Sequence, residues 1–264
     1  NANYISESTI TANRTQSGWQ LDGIESNIVN VEDETPDEEF LSHFTEDIEE
    51  VKKYVNRIIG TIEKSIFTKD SFFGPAPFSD FIHDVQMETT GADISLNAPL
   101  QFDACIKKGE IHVSDMFNLY TYENQLYTIR MSGKEIHDLL EMSYRQWVDT
   151  MKSKDDHIML MNQDNNGRYH SQNLAFNFDS AAGIDYEVDV TKENGHKVKI
   201  LRMSDGRPFN EDKTYIVAMN SYRGNGGGEL LTKGAGIPLE EIKSRIEHIS
   251  EKDQRRLLME YIES

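Results

Sequence analysis

With 264 residues, 37% of them hydrophobic, 28% charged and 9% aromatic, the chain has the composition of a globular protein able to bury a real core. Its formal net charge of −19 argues against duplex DNA, RNA or an anionic membrane as a partner, because Lys and Arg drive those associations. No apolar run approaches the roughly 18 residues a membrane span needs, and one cysteine, Cys105, excludes an internal disulfide and is expected to be a buried structural thiol.

Much of the acidity is local: ten Asp or Glu and no Lys or Arg fall within residues 32–50. The sequence begins at Asn1 rather than Met, so any export signal lies outside it. Residues 1–31 mix Thr, Asn and Ser with scattered apolar positions and predict a strand or extended arm. Thr35-Pro36-Asp37-Glu38 then forms a capping box with proline at the first helical position. Behind it Phe40, Phe44, Ile48, Val51, Val55, Ile58 and Ile62 recur at steps of three and four, which predicts one long amphipathic helix from Pro36 to Ile62. Its acidic residues precede Lys52, Lys53 and Arg57, the order the helix dipole favours. The acidic run reads as a solvated helix face, and the apolar stripe is expected to be buried.

Gly74-Pro75-Ala76-Pro77 breaks the chain, and Phe78 to Met87 predicts a second helix. A short buried strand is expected over Gly91–Leu96, and an aromatic-rich strand over Leu119–Tyr127. Ser132-Gly133-Lys134-Glu135 leads a helix through Ile136, Leu139, Leu140 and Tyr144. Residues 150–173 are polar and read as an exposed excursion. Phe176–Phe178 and Ile184–Val190 predict strands, and Lys197–Met203 with Tyr215–Met219 predicts an antiparallel pair around Asp205-Gly206-Arg207-Pro208. The tail from Pro238 to Ile262 is expected to be helical, in two pieces.

The apolar run Tyr215–Met219 enters Asn220-Ser221-Tyr222-Arg223-Gly224-Asn225-Gly226-Gly227-Gly228, with four glycines in five residues. Such a loop is either a plain glycine turn or a place where a ligand approaches the main chain closely. It is neither a Rossmann fingerprint nor a P-loop, because the required glycine and lysine spacings are missing. His83-Asp84, His137-Asp138 and Asp156-His157 are adjacent pairs that do not converge on one metal centre and read as surface or helix-face pairs.

Seven segments in register resemble the C-terminal, substrate-binding domain of the 5′-nucleotidase family. They are Ala92-Asp93, Asn97-Ala98-Pro99, Lys108–Ile111, Tyr120–Asn124, Met131–Glu135, Gly183–Tyr186 and Asn220–Gly228. Asn177-Phe178-Asp179 and Asn220-Ser221-Tyr222-Arg223 are more similar to the 2′,3′-cyclic-nucleotide phosphodiesterase/3′-nucleotidase branch. The resemblance runs from about Phe73 to Ile246 and divides the chain into an N-terminal arm and connector helix (1–72) and a substrate-binding domain (73–264).

The resemblance implies an α+β, mixed α/β fold in four layers, with sheets sandwiched between helices. It also implies that Tyr122 and Tyr222 clamp a nucleobase and that Asn124 contacts base or ribose. Arg223 is expected to reach an anionic group, and Gly226, Gly227 and Gly228 to line the sugar side. Two positions depart from the pattern: Asp103 stands near the place of a family arginine, and Gly228 where many members carry an acid.

In that family, hydrolysis belongs to an N-terminal two-metal phosphoesterase domain, whose Asp-x-His and Gly-Asn-His-Asp/Glu signatures this sequence lacks. The isolated chain is therefore expected to hold no cofactor or metal and not to be catalytic. It reads as the nucleotide- or nucleoside-binding half of a split or truncated nucleotidase paired with a metallophosphoesterase chain. A standalone binding module, or an interaction domain with a drifted cleft, is the alternative. The family's usual location implies an extracytoplasmic protein.

Overall fold

The structure, a computed structural model, describes residues 3–32 and 34–264, so Asn1, Ala2 and Asp33 of the expected arm and acidic run lie outside the described residues. The chain divides into two compact units, residues 1–53 and 54–264.

In the smaller unit, β1 (Tyr4–Thr15) and β2 (Gly18–Asn30) form an antiparallel ribbon. Its register places Ile10 opposite Ile24 and, after a shift between Thr11 and Ala12, Ala12 opposite Leu21. Side-chain alternation puts Tyr4, Ile10, Trp19, Leu21, Ile24 and Ile28 on one face, all of them exposed.

The expected single helix is instead two, α1 (Glu38–Ser42) and α2 (Thr45–Val55). The cap is Asp37, whose carboxylate accepts from the Phe40 amide at 2.9 Å, and not Thr35. The stripe is not buried: Phe40 is 62% exposed and Val51 60%. Nor does the helix reach Ile62. It ends at Val55, and Ile58–Ile62 becomes strand β3 because its β-branched residues find a sheet partner.

In the larger unit, β3 pairs with β7 (Gly109–His112), and β4 (Ile66–Phe67) with β6 (Cys105–Ile106). Cys105 is half-buried, not buried. Helix α3 (Pro77–Thr90) follows the proline break and leads into β5 (Ile94–Asn97), every residue of which is buried. The expected strand over Leu119–Tyr127 is displaced: α4 (Met116–Leu119) ends the preceding turn, and β8 runs from Gln125 to Ser132. The predicted helix led by Ser132 is α5 (Gly133–Trp147), and Ser132 and Glu135 close a capping box at its start.

The polar excursion holds an exposed hairpin, β9 (Met161–Gln163) and β10 (Tyr169–Ser171). Phe176 lies in a 3-10 turn, Ala175–Asn177, rather than a strand. Then come β11 (Ser180–Ala182), β12 (Ile184–Val188), β13 (Val198–Met203) and β14 (Thr214–Asn220). The turn at Asp205–Arg207 is present, yet β13 pairs with β12 and not with β14. After α6 (Ser221–Gly224), the tail is α7 (Leu239–Arg245), an unforeseen edge strand β15 (Ile246–Asp253) and α8 (Gln254–Glu263).

The central sheet has the order β11-β5-β14-β8-β15, with β5 and β14 parallel and the other neighbours antiparallel. Alternation along β14 sends Tyr215, Val217 and Met219 into a core shared with Ile136, Leu139 and Leu140 of α5. Ala218 joins a small cluster on the opposite side with Leu257 of α8. A second large core packs α3 and α8 against β3 and β7. The architecture is the mixed α/β one the sequence predicts.

His83, read as part of a surface or helix-face pair, lies on α3 with its ring inside the protein. It is 2% exposed, with ring nitrogens 2.9 Å from Ser95 Oγ and 3.2 Å from Ser180 Oγ. Burial lowers its pKa from 6.5 to about 4. Between those values the unfolded chain binds the proton and the folded chain does not. The stabilising contribution is therefore complete above pH 6.5 and lost as pH falls toward 4, a change of about 3 kcal/mol. His83→Gln should remove that part of the slope of unfolding free energy against pH, measured by urea titration from pH 7 to 4.5; an unchanged slope would contradict the assignment.

Candidate functional site

The antiparallel register of β14 and β8 sets Asn220 opposite Leu126. The residues just before β8 and just after β14 therefore meet at one end of the sheet, although Tyr122 and Tyr222 are far apart in sequence. Both tyrosines are exposed, at 43% and 41%, and both stand edge-on to the same ring, Phe176. The centroid distances are 6.3 Å with an interplanar angle of 83° for Tyr122, and 6.0 Å with 88° for Tyr222. Three aromatic side chains from three separate segments thus form one cluster. Sequence reasoning missed Phe176, whose only signal was its place beside the quoted Asn177-Phe178-Asp179.

Asn124 lies in the loop before β8, not on a strand beside Tyr122 as expected. Its amide contacts Tyr120 Oη at 3.5 Å and Ser221 Oγ at 3.4 Å, linking the two loops. Both contacts are long, which leaves hydrogen-bonding capacity unspent. Tyr120 below is fully buried, and burial pushes its hydroxyl pKa up, against the lowering effect of Asn124 and Asn220.

Arg223 does not point toward a ligand. It is 1% exposed, and all five of its N–H donors are directed at protein acceptors. Nε and Nη2 donate to the two Asp179 carboxylate oxygens at 2.7 and 2.8 Å. Nη2 also reaches the Phe176 carbonyl at 3.1 Å, while Nη1 donates to the Gly227 carbonyl and contacts Asn177 Oδ1 at 3.5 Å. Its amide is capped by Asn220 Oδ1 at 2.8 Å. The guanidinium carbon lies 5.5 Å from the Tyr222 ring centroid. The arginine is a clamp between the Phe176 turn and the glycine loop, and it sets where Tyr222 stands.

The glycines answer to the same packing. A Cβ on Gly227 would fall 2.5 Å from the Tyr222 ring, and one on Gly224 2.5 Å from the Tyr127 ring. Gly228, at φ 69°, lies against Asn177 and Arg223, where a side chain has no room. Among the described residues, no three His, Cys, Asp or Glu side chains gather where they could hold a metal ion. His137 Nε2 instead pairs with the Val198 carbonyl at 3.1 Å, and Asp156 caps the amides of Lys152 and Ser153.

The family model for the 5′-nucleotidase C-terminal domain matches residues 58–233. The trifunctional nucleotide phosphoesterase protein YfkN of Bacillus subtilis is 31% identical over 170 residues, covering 60% of this chain and 10% of that protein. A 2′,3′-cyclic-nucleotide 2′-phosphodiesterase/3′-nucleotidase of Salmonella typhimurium is 29% identical over 136 residues, 46% of this chain and 20% of that one. In fold, a 5′-nucleotidase precursor from Thermus thermophilus superposes with a TM-score of 0.61 at 17% identity, covering 99% of this chain and 47% of the other. The chain therefore spans a minor part of its relatives' length, between a tenth and a half in these three.

Removing one partner of a buried ion pair strands the other charge. Asp179→Ala is expected to cost about 3–5 kcal/mol of unfolding free energy, read as a lower urea midpoint at unchanged slope. A loss under about 1 kcal/mol, the range of exposed ion pairs, would show that the pair is not the clamp.

Proposed function

The chain belongs to the 5′-nucleotidase C-terminal domain family, and on that basis we propose that it is the nucleotide- or nucleoside-binding half of a phosphoester-hydrolysing nucleotidase. Metal catalysis would be supplied by a metallophosphoesterase chain. The observation that carries the reading is the meeting of Tyr122 and Tyr222, both exposed, around the edge of Phe176. A base stacks on the tyrosine faces while Phe176 closes the third side, and the unspent Asn124 amide addresses base or ribose. Arg223 and Gly226–Gly228 act one step back. Arg223 and Gly227 hold Tyr222 in place, and the glycines bring the main chain close to the sugar side.

The exposed apolar ribbon face of β1 and β2 favours a partnered protein over a standalone module, since an isolated two-stranded ribbon is marginal in water. The precursor status in the name of the Thermus relative supports an extracytoplasmic location.

Titration calorimetry with adenosine is the direct test. Tyr122→Ala and Tyr222→Ala should each weaken binding by about 1–3 kcal/mol with folding intact. Unchanged affinity in both variants would remove the site. The chain alone should show no metal-dependent hydrolysis of 3′-AMP or 2′,3′-cyclic AMP. A rate abolished by chelator and restored by Mn²⁺ would overturn the assignment of catalysis to a partner.

A further inference from the structure

A cavity of about 510 Å³ lies in the larger unit between α3, α5 and the β12–β13 pair, and it shares no wall residue with the tyrosine cluster. Its volume is that of small-molecule sites. The exposed rim includes Phe73, Gly74 and Pro75, the segment that breaks the chain ahead of α3. Its inner wall is aromatic. Tyr144 stacks on Trp147 at 4.9 Å and 8°, and the Tyr144 and Tyr186 hydroxyls meet at 2.8 Å. Two wall side chains are buried and unpartnered at their polar atoms: Ser71 at Oγ and Trp147 at Nε1, with residue exposures of 4% and 3%.

The charges of this wall have one sign. No Lys or Arg lines the cavity, and His83 in the wall has both ring nitrogens occupied by Ser95 and Ser180. Of the two wall carboxylates, Asp185 is spent on Arg202 Nε at 2.7 Å and Ser204 Oγ at 3.0 Å. Asp80 is different. Among the described residues no Lys, Arg or His pairs with it, and Asp84 follows it one helical turn on, adding repulsion. An anionic ester would meet carboxylate without any counter-charge here. A cation with an apolar body would bury that body among aromatic faces and neutralise Asp80.

We propose that this cavity is a second ligand site, taking a small organic ammonium ion whose charge pairs with Asp80 and whose apolar portion lies along Tyr144, Trp147 and Tyr186. The assignment rests on the cavity and its charges and does not depend on the nucleoside reading.

The chain's two tryptophans, Trp19 and Trp147, make the test specific. In the full chain carrying Trp19→Phe, Trp147 is the sole indole, and its emission reports the cavity. Phenethylammonium should produce a saturable change. 2-Phenylethanol, matched in shape and uncharged, should bind about tenfold more weakly, and phenylacetate not at all. Asp80→Asn, at an exposed helix position, should reduce phenethylammonium to the level of the alcohol. Leu201→Trp in a Trp19→Phe, Trp147→Phe background should report the same titration from the opposite wall. Tyr122→Ala and Tyr222→Ala should leave all of this unchanged, which separates failure here from failure of the nucleoside site. No saturable response, equal affinity for the ammonium and the alcohol, or indifference to Asp80→Asn would each overturn the proposal.

Discussion

A charged side chain enters the interior at Arg223, and much of the local structure exists to satisfy it. A guanidinium without partners in a dry interior is prohibitive, so every donor must be met. Asp179 supplies the compensating charge in bidentate geometry, and carbonyls from Phe176 and Gly227 take remaining protons. The carbonyl acceptors lie on two stretches of chain that otherwise have no regular pairing, the 3-10 turn at Ala175–Asn177 and the glycine loop after α6, and Asp179 stands two residues beyond the turn. Satisfying one arginine therefore docks both loops. The docked turn presents Phe176, and the docked loop presents Tyr222. Rigid placement of an aromatic wall is what a stacking site needs, because a ring that must first be ordered loses part of its binding energy to entropy.

The legible parts of the sequence were those where local chemistry and tertiary context agree. The helix led by Ser132–Glu135 is legible because its start is satisfied locally, each of the two side chains meeting the other's backbone within one turn. Likewise β5 is buried on both faces and needs no partner-specific information to be recognised as a strand. The long helix failed for the opposite reason. Ile58 and Ile62 fit a step of four, yet Ile58-Ile59-Gly60-Thr61-Ile62 is also a β-branched run, and only the edge offered by Gly109–His112 decides between them. The pairing of β13 failed similarly. The turn at Asp205-Gly206 is real, but β14 is claimed on both sides by β5 and β8 inside the sheet, so β13 pairs with β12.

The candidate site was legible by residue type and family pattern but not by direction. Tyr122 and Tyr222 are legible only through the family resemblance; the β8–β14 pairing that brings their loops to one end of the sheet is not in the sequence reading. Arg223 was assigned outward because an arginine beside glycines resembles an anion site. What reversed it is Asp179, forty-four residues earlier, whose buried carboxylate is invisible until the chain is folded. The sequence also does not reveal that the missing side chains at Gly227 and Gly228 make room for the Tyr222 ring and for the Asn177–Arg223 contact.

One asymmetry bears on how such a domain works. The tyrosine cluster sits where two loops project from the sheet end, while the buried polar atoms and the unpaired Asp80 lie around the cavity behind α5. A stacking surface of aromatic rings can position a base but does not by itself activate the water that phosphoester hydrolysis consumes. Stacking supplies position, and metal ions supply the activated water and charge stabilisation. Among the described residues no three His, Cys, Asp or Glu side chains gather to hold a metal ion, and what the tyrosine cluster presents is aromatic surface. On the β1–β2 ribbon the same physical constraint acts differently: Tyr4, Ile10, Trp19, Leu21, Ile24 and Ile28 stay exposed on one face, an apolar surface that water disfavours and that cover by another surface would relieve.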